Sequence, residues 1–266
     1  AEAVLEAKKL MLSTLNMMSP SSGEPTVAPT LDMVLGCFYL TMSDDLNETS
    51  NTVYGSLQEA RLALELGKIR LRSSIKVRIP GDLTVREDGS SASQAEAIDA
   101  NPKDSTNGSG QIIETTAGRI IINEIIPSEL GFWNFELDKA GLRDLAASAY
   151  KRLGNEATAV ILDSVKDLGF HYASRSGTTI AINDIEVSED KSDIIATAEN
   201  NVNLLDQQYM DGLITEEERY QNTVQIWTAA NDELTKIIQA NLSNYGGIYL
   251  MATSGAKGNI AQIKQM

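Results

Sequence analysis

Cations, cysteine and histidine are all scarce in this sequence, and each shortage excludes a class of function. Lys and Arg number 22 against 37 Asp and Glu, for a net charge of −15. That balance opposes unaided binding of DNA or RNA, because neutralising phosphates needs clustered cations. Any nucleic acid would need another chain or segment to supply the positive field. Cys37 is the single cysteine and His171 the single histidine. A disulfide framework is excluded, a reducing cytoplasm is the natural compartment, and no His- or Cys-rich zinc site can be built. No apolar run reaches the roughly 18 residues needed to span a bilayer. There is no Ser/His/Asp nucleophile signature, CxxC pair, dinucleotide fingerprint or complete P-loop. No residue is therefore assigned a catalytic or metal-binding role. The chain starts directly in an amphipathic pattern with neither an initiator Met nor a signal peptide, which reads as a piece of something longer.

What is present suits an ordinary globular protein. Hydrophobic residues make up 42% and charged residues 22% of 266 positions, enough for one large or two medium domains. The pattern predicts an α+β fold. Residues 1–183 form a mixed region of short strands and helices, and 184–266 are dominated by a long antiparallel helical hairpin.

Along the first region, residues 2–18 read as a helix stopped by Ser19-Pro20-Ser21-Ser22-Gly23. The apolar run Met33 to Leu40 suits either a buried helix or a buried strand, and makes Cys37 a small core hydrophobe more readily than a nucleophile. Residues 57–67 read as a helix stopped by Gly67. Alternation from Ile69 to Ile79 predicts a strand over 68–79. Residues 82–110 lose periodicity and read as a surface insertion with a short strand at Leu83-Thr84-Val85, after which a strand over 111–115 pairs back onto the first. Helices follow over 116–126, 137–153 and 157–168, ended by Pro127, Gly154 and Gly169. A turn at Gly177-Thr178-Thr179 then leads to a short strand at Ile180 and Ile182.

The hairpin spans 188–244. Ile195, Ala198, Val202, Leu205 and Tyr209 alternate by three and four, and Tyr220, Val224, Trp227, Asn231, Leu234 and Ile238 resume the pattern. Gly212 supplies a left-handed stop, and Thr215 with Glu218 supplies a capping box. Leu213 and Ile214 sit at the tip, either as a local staple or as a docking point for a partner. Elsewhere, Ser254-Gly255-Ala256-Lys257-Gly258-Asn259 could bring backbone amides and one cation to an anion. Asp44-Asp45, Glu186 to Asp190 and Glu216-Glu217-Glu218 read as solvated faces and helix-start charges. Arg119, Arg143, Lys151, Arg152 and Arg175 are scattered.

Several stretches, in collinear order, resemble the largest-subunit family of multisubunit RNA polymerases in its bacterial (β′) form. They are Glu6 to Ser13 running on to Pro25; Thr30 to Gly36, with Leu31 where bacterial members usually carry Gln; Gly118-Arg119-Ile120 to Pro127; and Gly169 to Gly177 with Ile182-Asn183-Asp184. Gly212 to Tyr220 and Tyr249 to Ile263 complete the set, and only 82–110 falls outside it. The resemblance implies a pore domain over 1–183, then a secondary-channel funnel over 184–266 with rim helices at 188–244.

In that family the channel admits nucleoside triphosphates, and transcript-cleavage factors of the Gre type dock on the rim. Leu213 and Ile214 match the docking tip. Lys257 matches a cation near the incoming nucleotide's phosphates, where bacterial members usually have Arg. The family's Mg²⁺-binding aspartates lie upstream of the matched region, so the resemblance implies no cofactor held within this stretch and no synthesis by it alone. Partners would be the other polymerase subunits, with DNA and RNA only in the complete enzyme and no membrane. The alternative is a freestanding scaffold protein that uses the hairpin as a binding arm.

Overall fold

The computed structural model describes residues 2–43, 52–81, 83–87, 110–181, 190–241 and 246–265. It is an α+β chain with two compact units, 1–178 with 253–257 and 179–252 with 258–266.

In the first unit, helix α1 (Glu2–Glu6) runs into a π-helical turn at Ala7–Met11 and a 3₁₀ turn at Ser13–Leu15. The single helix expected over 2–18 is broken because its apolar positions find nothing to pack on. Val4, Leu5, Leu10, Met11 and Leu15 are all at least half exposed, and short helices depend on tertiary packing for stability. The ambiguous apolar run becomes helix α2 (Asp32–Thr41), buried on nearly every side, which explains why it carries no amphipathic period.

Strand β1 (Val53–Tyr54) precedes helix α3 (Leu57–Glu65), whose start is capped by Ser56 Oγ accepting from the Glu59 amide at 3.2 Å. Strand β2 covers only Ser74–Ile79, shorter than the alternation predicts. Ile69 is still buried, but the Leu71 carbonyl accepts from the Gly118 amide at 2.9 Å, so the backbone there serves a turn and not a ladder. Strand β4 (Gln111–Thr116) pairs antiparallel with β2, as expected, from Ile79 opposite Gln111 to Ser74 opposite Thr116; β1 adds in parallel on the other edge. Strand β3 (Val85–Arg86), two residues beyond where the expected strand begins, pairs in parallel with an unanticipated β5 (Phe132–Trp133). Most of the expected insertion lies outside the described residues.

Helix α4 (Ala117–Ile125) is capped by Thr116 Oγ1, as its sequence indicates. The two helices expected after it are present and part where expected, at Gly154, whose φ of 78° and ψ of −175° are not helical; together they are labelled α5 (Lys139–Ser176), and Asp138 caps the first. Gly169 does not end the second half. The helix continues to Gly177, which takes the left-handed cap, because Gly169 is there for a close crossing with α2. Ile180 is exposed coil and not strand, and Ile182 lies outside the described residues. The core joins α2, α4, α5 and the Trp133 turn; a second cluster fills the space between α3, α4 and the sheet.

The second unit contains the hairpin, α6 (Asp190–Met210) and α7 (Glu216–Asn241). Its seam keeps the predicted positions Ile195, Ala198, Val202, Leu205, Leu234 and Ile238 and corrects Tyr220, Val224, Trp227 and Asn231, which are exposed. Ala198 and Ala230 are buried, with Val202, Leu205 and Ile226 half-buried, whereas Tyr220, Val224 and Trp227 are 63%, 46% and 41% exposed. Across the seam Arg219 donates to Asp206 on α6 at 3.0 Å. Helices α8 (Gly247–Ser254) and α9 (Ile260–Gln265) follow.

Candidate functional site: a hairpin tip and a glycine turn

The tip is built from hydrogen bonds that leave large apolar side chains in solvent. Gly212 adopts φ 74°, and the amides of Asp211, Gly212 and Leu213 donate to Gln207, Tyr209 and Gln208 carbonyls. On the far side the capping box closes in both directions. The Thr215 amide donates to Glu218 Oε2 at 2.8 Å, and the Glu218 amide donates to Thr215 Oγ1 at 3.3 Å. The donated backbone hydrogen bond holds the Glu218 carboxyl below its ordinary range. Arg219 donates to Glu216 as well as Asp206 and lies over the Tyr209 ring at 5.4 Å, so its guanidinium is held strongly protonated. Each expected tip residue then has a different exposure. Ile214 is half-buried. Leu213 is 73% exposed, and beside it Met210, which sequence reasoning did not single out, is 83% exposed.

The second place is the turn after α8. Ser254 is buried, and its Oγ accepts from the Ala256 amide at 3.2 Å. Gly255 takes φ 69° and Gly258 φ 83°, conformations that non-glycine residues rarely adopt. Ala256 packs on the main core, while Lys257 is exposed. The turn lies against the start of α5: a Cβ on Gly255 would stand 3.2 Å from Lys139 Cβ. Asn259 does not join an anion cradle; its Oδ1 accepts from the Gln262 amide at 2.9 Å and starts α9.

Most of the scattered cations contact other groups of the chain. Arg119 is partly buried, donates from Nε to the Thr41 carbonyl at 2.9 Å and closes the end of α2. Arg152 donates to the Glu129 carbonyl at 2.8 Å, Arg143 lies 4.0 Å from Glu24, and Arg175 sits 6.0 Å over the Tyr172 ring. Lys151 is exposed. Cys37 is fully buried and burial pushes its thiol up to about 12, which removes it as a nucleophile. His171 is exposed, edge-on to Tyr172. Among the described residues no three His, Cys, Asp or Glu side chains gather. Asp44, Asp45 and 186–189 lie outside the described residues. No described helix is long and apolar enough to cross a membrane.

The first unit is thus a mixed α+β body with a glycine turn seated against it, and the second contains an apolar-tipped helical hairpin. Residues 16–185 match the family model for RNA polymerase Rpb1, domain 3, and 214–266 match that for Rpb1, domain 4. The whole chain is 41% identical to the DNA-directed RNA polymerase subunit beta' of Desulforamulus reducens and 42% identical to that of Moorella thermoacetica, while 99% of it is 40% identical to that of Dehalococcoides mccartyi. It spans about a fifth of the length of these relatives (20%, 21% and 18%). The chain belongs to the largest-subunit family of RNA polymerase, as a fragment of a bacterial-type β′ subunit.

Proposed function

We propose that this chain forms the pore and secondary-channel rim of a DNA-dependent RNA polymerase. In that role it shapes the entry path of nucleoside triphosphates and docks transcript-cleavage factors of the Gre type. The other polymerase subunits are its permanent partners, and DNA and RNA are met only in the complete enzyme, whose Mg²⁺ ligands lie outside this chain. The observation that carries the reading is Leu213, a large aliphatic residue 73% exposed on a tip otherwise fixed by a capping box and the Arg219 ion pairs. A rigid apolar point on an acidic arm suits recognition, since ordering it costs little at the moment of binding. Lys257 serves as a phosphate contact, where lysine keeps the charge but lacks the two-pronged fork of arginine.

The test uses a polymerase reassembled around a β′ subunit carrying this stretch. Leu213→Asp with Ile214→Asp is expected to abolish factor-stimulated transcript cleavage and to spare elongation. Cleavage stimulation at the unaltered level would reduce the tip to a structural staple.

A further inference from the structure

Lys139 is in an electrostatically unfavourable place. It is the first residue of α5, where the partial positive charge of the helix start repels a cation. It is exposed, and no hydrogen bond or ion pair joins it to any described residue. The nearest acid in sequence, Asp138, is occupied in capping: its Oδ1 accepts from the Gly141 amide at 2.7 Å. The stem of Lys139 lies instead along the glycine turn, with Cβ 3.2 Å and Cδ 3.8 Å from where a Gly255 side chain would begin. Two residues further on is Lys257, also exposed and also without an ion pair among the described residues. In a chain of net charge −15, two exposed lysines without an ion pair among the described residues thus flank one turn. Gly255, at φ 69°, lets the turn come this close; any side chain there would press on Lys139.

We propose that Lys139 is a second cationic contact for the nucleotide polyphosphate, acting beside Lys257 across the Gly255 turn. The inference rests on the phosphate role of Lys257. The ligand is the triphosphate of a free nucleotide. Neither lysine carries out chemistry; their joint effect is on capture.

The reassembled polymerase again provides the test, with Lys139→Ala, Lys139→Arg and Lys257→Ala compared. Lys139→Ala is expected to raise KM for nucleoside triphosphates about two- to fivefold, the range for one exposed charge contact, at unchanged kcat. Lys139→Arg should restore KM. Inorganic tripolyphosphate should inhibit the Lys139→Ala enzyme correspondingly less well. Removing a cation from a helix start does not weaken the fold, so a thermal melt no lower than that of the parent enzyme should accompany the shift. If Lys257→Ala raises KM and Lys139→Ala does not, the stem of Lys139 merely packs on Gly255 and this inference fails alone. If neither variant shifts KM, the phosphate role of Lys257 fails with it. A Lys139→Ala enzyme with normal KM but altered cleavage of backtracked transcripts would assign the site to RNA backbone and overturn the proposal.

Discussion

A methyl group placed on Gly36 would stand 1.8 Å from the Gly169 carbonyl oxygen and 2.7 Å from the Ala173 amide nitrogen. One placed on Gly118 would stand 1.8 Å from the Leu40 carbonyl oxygen. Helix α2 is therefore held backbone to backbone by α5 on one side and α4 on the other. Neither contact involves a flexible side chain that could yield. Gly36→Ala is expected to destabilise the chain by about 1–3 kcal/mol or more, as overpacking does in tight cores, read from the midpoint of denaturant unfolding. A Gly81→Ala control, where a Cβ meets nothing within 4 Å, should stay close to the parent. Nothing in the sequence distinguishes these glycines. Gly169 follows Leu168 and precedes Phe170 in a helical pattern, and a glycine in that setting reads as a stop. Only the partner helix, distant in sequence, reveals that it is a point of approach.

The hairpin shows the converse case, in which the element was legible and its rotation was not. Its two helices, its Gly212 turn and its Thr215–Glu218 box stand where the sequence put them. The seam of α7 was misread because Tyr220, Val224 and Trp227 outweigh Ala230 in any count of hydrophobicity. Small residues belong where two helices touch: Ala230 is buried and Ile226 half-buried, on a rotation in which Arg219 also reaches Asp206 of α6. Ala230→Asp is accordingly expected to lower the melting temperature of the hairpin by circular dichroism, because it places an unpaired charge in the seam. Trp227→Gln should lower it much less. The reverse order would restore the heptad register read from sequence. Leu213 stood out in the sequence as an apolar tip residue and Lys257 as the cation of a glycine-flanked loop, and the family resemblance gave each an expected role, whereas Lys139 carries no motif and becomes visible only once Gly255 is seen against it.

At the scale of the whole molecule, the two units differ in what protects their backbones. The first buries Trp133, Phe132, Leu137, Leu142 and Leu145 almost completely, whereas α6 and α7 bury only Ala198 and Ala230. Half-buried seams open at lower free energy than full cores. Native-state hydrogen exchange is thus expected to show α2, β2 and α4 exchanging slowest and the α6–α7 amides orders of magnitude faster; equal protection would contradict the burial pattern. Charge follows the same division. Ten of the carboxylates and only three of the cations fall within 190–241, so the exposed arm is also the acidic one. Such an arm repels nucleic acid and favours protein partners with basic surfaces, in keeping with the docking proposed for it.

The crossing of α2 with α5 also has a mechanical meaning. Ordinary helix pairs are separated by a layer of side chains that can shift by tenths of an ångström and absorb a displacement. Where Gly36 meets Gly169 that compliant layer is missing. Helix α2 and the second half of α5 must move as a single stiff strut. The one residue in α5 with non-helical angles is Gly154, so any play between that strut and the Lys139 end of α5 is confined to a single swivel.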